Sequence, residues 1–578
     1  MIARRIGARG ALVEAFVYLV LAFLLFHSAW SSPDTRLIGG GGDAVQFAWF
    51  LSWTPFALAH GHNPLLTTYL NYPDGVNLMW NSSVPLVAVA MWPVTALAGP
   101  LVSYNLFVTL SPALSAWAAC VAIRRFVPRR EAAFAGGLLY GFSPYVVGHA
   151  QGHPNLSLAV VPPLLLLVGD EIVCRQRWRP WIAGIALGTL ALVQLFVSEE
   201  MLATEVLVAA LAVVLLAAMH RPLVTGRRLA YAATALGVAL VLTAIVAAGP
   251  LLIQFHGPER VTGVIHAPNV YVTDVLNLVI PVGGVQQLTP SWAASISDRF
   301  SGNGAEQTAY LGIPLLVIIG VVALRLWRSG LVRLCVILGV VIGVLSLGPQ
   351  LHAGGRTVRA ARLPADLFTH LPALDNVLPV RLTVYLFLLA GLMVAIFVAW
   401  LHQGGRGRAL WGGGLLAMSL VCLLPTTGFP SGRVAAPAYF TARPATRDLA
   451  GGAVALVVPF TDGPGNDLTM VWQAQSGFRF RMPEGYFLRA ASGGVAQTGA
   501  PPTAMSAALD GIARTGQPPA LTPGLRTTLT ADLRRWSVSA IVVGPSPHQN
   551  TTVQFIRNLL GAEPRADAGV EVWRFGNG

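Results

Sequence analysis

Asp43 stands at the end of four glycines (39–42) and opens an aromatic-rich run, GGGDAVQFAWFLSW (40–53). A carboxylate placed there has two readings. It is a general base, able to take the proton of an acceptor hydroxyl where its surroundings tune its pKa. Or it is a loop or helix-capping acid, since a helix-like run follows directly. The glycines permit backbone shapes closed to other residues. Behind them Phe47, Trp49, Phe50 and Trp53 suit a helix lying at a membrane surface.

Other groups with chemical potential come in short clusters. In HGHNPLLTTYLNYPDGVNLMWNSS (60–83), His60, His62 and Asp74 are ordinary metal ligands, so a divalent cation is the cofactor this chain could hold. Two histidines two apart serve equally well as polar surface, and Tyr72 and Trp80 as interfacial anchors. In YGFSPYVVGHAQGHPN (140–155), His149 and His153 share a helical face if the helix continues; Gly148, Gly152 and Pro154 oppose that. Glu199 and Glu200 fall between two apolar runs, and carboxylates at membrane depth default to a functional role unless they reach water. HGPER (256–260) and VIHAPN (264–269) contribute His256, Glu259, Arg260 and His266, with Glu306 and Tyr310 further on. Gln350, His352, Arg356, Arg359, Arg362 and Asp375 populate 349–379, and Arg381 follows at the mouth of an apolar run. The guanidinium fork matches phosphate oxygens; pairing with Asp375 or lipid headgroups is the plainer use of these arginines.

The elements that must position these groups are membrane spans. Hydrophobic residues make up 54% of the 578 and charged residues 11%, against about 25% charged in soluble domains. Apolar stretches of spanning length occur at about 11–30, 103–123, 132–148, 155–173, 181–198, 201–219, 229–250, 309–325, 331–348, 380–402 and 409–426. The run 84–100 contains Pro85, Pro93 and Pro100 and reads as re-entrant or interfacial. With that assignment RRFVPRR (124–130), CRQRWR (174–179), HRPLVTGRR (220–228), RLWRSGLVR (325–333) and HQGGRGR (402–408) all fall on the side of the N-terminal arginines. Basic loops face the cytoplasm. The expectation is eleven spans with the N-terminus inside, an uncleaved first helix, and the loops 31–83, 251–308 and 349–379 outside.

The net charge of +13 is carried by arginine alone, so no lysine base or Schiff base is available. Because the arginines cluster in loops beside spans, the charge points to membrane orientation and not to nucleic acid. Four cysteines, 120, 174, 335 and 422, lie in or beside apolar runs without paired spacing, so neither a disulfide framework nor a zinc site is indicated. No Walker loop or dinucleotide glycine fingerprint is present. Residues 430–578 change character: AVALVVPF (453–460), VSAIVVG (538–544) and VEVWRF (570–575) read as strands, TADLRRW (530–536) and TVQFIRNLL (552–560) as helices. That alternation predicts a small α/β domain following a transmembrane domain of 1–429.

Together, the first span, the long outer loop opening on an acid, about eleven spans and an outer α/β tail resemble the GT-C superfamily of membrane glycosyltransferases. That superfamily includes the protein O-mannosyltransferases and the lipid A aminoarabinose transferase. GGGDAVQFAWFLSW, HGHNPLLTTYLNYPDGVNL, YGFSPYVVGHAQGHPN, AYLGIPLL and LGPQLH…LPVRL look like a bacterial branch of such proteins whose substrates are unassigned. The resemblance implies an α-helical polytopic protein of the inner membrane, with its active face and tail extracytoplasmic. It implies an inverting hexosyl or pentosyl transfer from a polyprenyl-phosphate donor to a cell-envelope glycan, glycolipid or protein. Asp43 matches the first-loop acid that acts as base. Many relatives have Asp-Glu there; this chain has Asp43-Ala44, and Glu199, Glu200 or Glu259 would have to supply any second carboxylate. Arg381, with Arg356 or Arg359, would hold the donor phosphate, and His149, His153, Glu199, Glu200, His256, Glu259 and His352 would line the substrate site. A transporter or flippase, or an inactive scaffold of the same shape, is the competing reading. Against transport, the span interiors hold almost no charge.

Overall fold

The computed structural model describes residues 2–371, 374–434, 436–442, 449, 451–460 and 467–575, the side chains of 2–9 and 359–361 excepted. The chain is mostly helical. Helices Pro85–Ile123, Pro154–Arg175, Glu199–Met219, Gly226–His256 and Pro379–Leu401 are long and apolar enough to cross a membrane. The other expected spans fall on shorter helices, among them Pro180–Leu195, Ile313–Leu326 and Gly330–Ser346. The run 84–100 is also helical and continues into the next expected span, broken only at Gly99, whose φ is 86°. Gly99 alone takes that left-handed turn without strain.

Two compact units emerge. The first comprises 1–30, 106–248 and 266–430; the second comprises 31–105, 249–265 and 431–578. One break between the units falls at 430/431. The tail does not form a unit by itself, because segments 31–105 and 249–265 cluster with it.

In the first unit, helix Thr383–Leu401 is buried on nearly every face. It crosses helix Arg130–Gly141 at Gly136 and Gly391, where a Cβ on Gly136 would lie 2.4 Å from the Gly391 carbonyl oxygen. Small residues let helix backbones meet where lipid supplies no hydrophobic drive. The short turn Pro379–Leu382 leads into this helix and so carries Arg381 on the most firmly packed element of the unit.

In the second unit, a five-stranded sheet is centred on Val538–Val543. That strand pairs parallel with Ala453–Val458 and antiparallel with Val570–Arg574; Phe480–Arg481 and Arg565–Asp567 form the edges. Helices Ala504–Thr515 and Gln549–Leu560 each bury one stripe, Met505, Ala508, Leu509 and Ile512 in the first and Thr552, Phe555, Ile556 and Leu559 in the second. That i, i+3, i+4, i+7 spacing is the face a helix turns to a sheet.

The helix Asp43–Ala59 packs into the same unit. Trp49 donates its indole N–H to the Gln473 side chain (2.7 Å), and Gln473 in turn donates to the Tyr69 and Phe480 carbonyls, 2.9 Å each. The glycine run has a local reason. Gly39, Gly40 and Gly42 take positive φ, and strand Arg36–Ile38 pairs with Ser431–Arg433 so closely that a Cβ on Gly432 would lie 2.6 Å from the Gly40 Cα.

Candidate active site

Asp43 is the first residue of its helix, and the cap is Gly42. A carboxylate in the first turn is favoured by the partial positive charge of the helix end. Asp43 is half-buried, and the Tyr486 hydroxyl donates to its Oδ1 at 2.6 Å.

Two further groups border it, neither of which the sequence had marked. Asp467 directly precedes the helix Leu468–Gln475, is 1% exposed, and has one carboxyl oxygen with no hydrogen-bond partner among the described residues. Burial, with the Asp43 charge adding to it and the Gly42 N–H opposing it, pushes the Asp467 carboxyl up to about 6. Tyr104 is fully buried within electrostatic range of Asp43, and its hydroxyl likewise lacks a partner among the described residues. Buried polar groups are ordinarily satisfied, so two unmet ones within electrostatic range of Asp43 set this region apart.

Asp467 is thus a carboxylate within electrostatic range of Asp43. The expected substitutes lie elsewhere. Glu199 and Glu200 belong to the first unit. Glu259 accepts from the Ala490 N–H at 3.3 Å and lines a separate cavity. The only sequence signal for Asp467 was an acid before the helix-like LTMVWQAQ, 424 positions after Asp43.

The first unit gathers a different cluster. Arg381 donates Nε to both Glu306 oxygens at 3.2 Å, and its terminal nitrogens bond Glu306 and Glu200. Glu200 also accepts the Leu378 N–H at 2.8 Å. His149, fully buried, meets Glu306 at 3.2 Å through Nε2, and its Nδ1 bonds the Tyr145 carbonyl at 2.8 Å. Burial alone would raise the Glu306 carboxyl; Arg381 and His149 outweigh it and hold that group well below the usual carboxylate range. The phosphate role expected of Arg381 thus meets a guanidinium already occupied by two carboxylates, neither of them Asp375.

The remaining candidates scatter. His153 sits with its ring 5.9 Å from that of His149, beyond the end of helix Pro144–His149, so no continuous helical face joins them. Glu199 is half-buried at the start of its helix. His256 is exposed at a helix end. His352 is buried against Asn269, Ser301 and Thr357, and burial lowers its pKa against the pull of Asp274. Arg356 is exposed on the strand Arg356–Arg362, and the Arg359 side chain lies outside the described residues. His60 bonds the Phe56 carbonyl at 2.8 Å, away from the cavity that His62 and Asp74 line. Among the described residues no three histidine, cysteine or acidic side chains converge as metal ligands.

Helices of this length and hydrophobicity define a mostly helical multi-pass membrane protein. Residues 15–421 match a family described as a domain of unknown function, DUF6311, and the chain belongs to that family. No curated protein matches it by sequence. Among solved structures it is similar to the oligosaccharyltransferase of Archaeoglobus fulgidus crystallised with Zn and sulfate (13% identity, 93% of this chain and 68% of that one, TM-score 0.45). It is also similar to AglB of the same organism in complex with an inhibitory peptide and a dolichol-phosphate (13%, 92% and 69%, TM-score 0.44). A further similarity is to apo ArnT of Cupriavidus metallidurans (13%, 98% and 98%, TM-score 0.42).

Proposed function

We propose that this protein is a membrane glycosyltransferase that moves a sugar from a polyprenyl-phosphate donor to an extracytoplasmic acceptor, with Asp43 as general base. The observation that supports it is the pairing of a half-buried Asp43, oriented by Tyr486, with a buried and incompletely bonded Asp467. A carboxylate in the first turn of a helix, held by a tyrosine hydroxyl beside a second buried acid, is suited to receiving a proton.

In the proposed reaction the acceptor oxygen attacks the anomeric carbon from the face opposite the lipid phosphate. A C–O bond forms to the acceptor, the bond to the phosphate oxygen breaks, and the phosphate leaves with the electron pair. Asp43 takes the acceptor proton, and the anomeric centre inverts. Tyr486 positions the carboxylate, and Asp467 supplies a second acidic group beside it.

Donor-phosphate recognition is a separable part of the reading. It is assigned to the exposed Arg356 together with Arg359, because Arg381 is engaged by Glu200 and Glu306. Topology is read as eleven spans with the active face and tail outside the inner membrane.

One observation favours the transport alternative. Glu205, within the helix Glu199–Met219, is 3% exposed and neither of its carboxyl oxygens has a partner among the described residues. Polar groups at such depth often mark a solute path. Asp43→Asn, assayed with membrane-extracted lipid-linked sugars, separates the readings. A transferase loses turnover while melting like the wild type, whereas a transporter or scaffold is indifferent. Wild-type transfer by this variant overturns the assignment of the base.

A further inference from the structure

The outer unit holds a cavity of about 260 Å³ away from Asp43, walled by Trp53, His62, Tyr69, Asp74, Glu259 and Arg481. One wall is aromatic. The Trp53 and Tyr69 rings lie 5.2 Å apart, with Phe56 and Phe478 packed around them, and the His62 ring lies parallel to Trp53 at 6.5 Å. Trp53, stacked on Trp49 at 5.3 Å, and Tyr69 are almost fully buried and back the His62 ring, which is the exposed aromatic surface of this wall.

The other wall is charged. Asp74 is exposed, Glu259 half-buried, and the Arg481 guanidinium stands 5.5 Å over both Tyr69 and Tyr72. The Arg481 Nε is buried with no partner among the described residues. Two backbone features shape this wall. Glu259 takes a φ of 52°, a strained setting for a residue with a side chain, and such strain collects at ligand sites. Gly75 closes the hairpin beside Asp74 so tightly that a Cβ there would lie 2.6 Å from the Thr67 carbonyl oxygen.

This combination selects its ligand by chemistry. Carboxylates only accept hydrogen bonds and a guanidinium only donates them. A ring of hydroxyls does both, and its C–H face is apolar enough to lie on the exposed His62 ring. Asp74 also pairs with Arg535 at 3.5 Å, so the wall offers interleaved acceptors and donors, which a ring of hydroxyls meets together and an acyl chain would have to desolvate.

Position adds a further constraint. Trp53 lies ten residues beyond Asp43 on one helix, which is ~15 Å along its axis. The ring bound here is therefore not the one carrying the reacting hydroxyl.

We infer that this cavity holds a distal sugar of an oligosaccharide chain, so that the acceptor is an extended saccharide whose end is presented to Asp43. The inference rests on the glycosyltransferase reading and narrows its acceptor from glycan, lipid or protein to glycan.

The test uses the full-length protein in nanodiscs on an array of linear oligosaccharides built from hexoses, hexosamines and uronic acids. The wild type should retain at least one series, and His62→Ala and Asp74→Asn, both at exposed positions, should each weaken that binding by about tenfold while melting like the wild type. Asp43→Asn should keep the binding and lose transfer. Binding unchanged in both cavity variants overturns the inference, as does absence of oligosaccharide binding across the array. Either result leaves the transferase reading intact, since that reading stands or falls on turnover in Asp43→Asn.

Discussion

Two acid clusters, one in each unit, show what compensation does to a buried carboxylate. In the first unit Glu200 and Glu306 share Arg381, and His149 and a backbone N–H take up further oxygens. Every charge there has a partner, and the result is a rigid joint at the entrance to helix Thr383–Leu401. In the second unit Asp43 and Asp467 stand together, with a tyrosine hydroxyl and a backbone N–H as their identified donors and one Asp467 oxygen unmatched. The first arrangement is what packing requires of buried ions. The second leaves capacity for a proton or a substrate hydroxyl. The two clusters thus differ in how their carboxylates are compensated, and the proposed chemistry is assigned to the second.

The sharpest way to break this contrast is at the proposed base. Asp43→Asn should lower sugar-transfer turnover by about 10²- to 10⁴-fold, measured with lipid-linked donor, at an unchanged melting temperature. The mirror experiment removes compensation from the other cluster. Arg381→Met should cost about 3–5 kcal/mol, because two carboxylates are left buried without their cation. Adding Glu200→Gln and Glu306→Gln should recover most of that loss in a thermal melt. An Arg381→Met protein as stable as the wild type would show that the cluster is not held by charge.

Asp467 gives the intermediate effect, of opposite sign. Its carboxyl is raised from 3.8 to about 6. As pH rises from about 4 to about 6 the unfolded chain releases this proton before the folded one does, so the wild type loses stability across that window and levels off above it. Asp467→Asn should lack that decline and be more stable at pH 7 by about 3 kcal/mol. A variant whose melting temperature tracks the wild type from pH 4 to 7 would remove the strain attributed to the pair. The smallest change is expected of Tyr486→Phe, which should reduce turnover about tenfold by freeing the Asp43 carboxylate to swing, with KM little altered.

Much of the scaffold was legible along the chain. Apolar runs of membrane length give helices because a bilayer leaves backbone groups no partner but each other. Alternating patterns at 453–460, 538–544 and 570–575 became strands of one sheet. The helix Ala504–Thr515 was missed; its capping box, Thr503 with Ser506, uses serine where glutamate would have been the plainer signal. Within the site, Asp43 stood out because glycines and aromatics flank it. Its partners did not: Tyr104, Asp467 and Tyr486 carry no local pattern, and two of the three lie more than four hundred residues away. Arg381 and Glu200 were recognised singly, yet Glu306, the acid that binds most of the guanidinium, looked like an ordinary loop residue.

By itself, then, the order of residues determined which segments are apolar helices, where the basic clusters between them fall, and that one acid follows a glycine-rich turn. These are short-range properties, set by hydropathy, charge beside spans and the freedom of glycine at positive φ. Only the tertiary structure decided which charges are neutralised and which are not. Burial and pairing depend on neighbours brought from 31–105, 249–265 and 431–578 into one unit, and no local window of the chain contains that information.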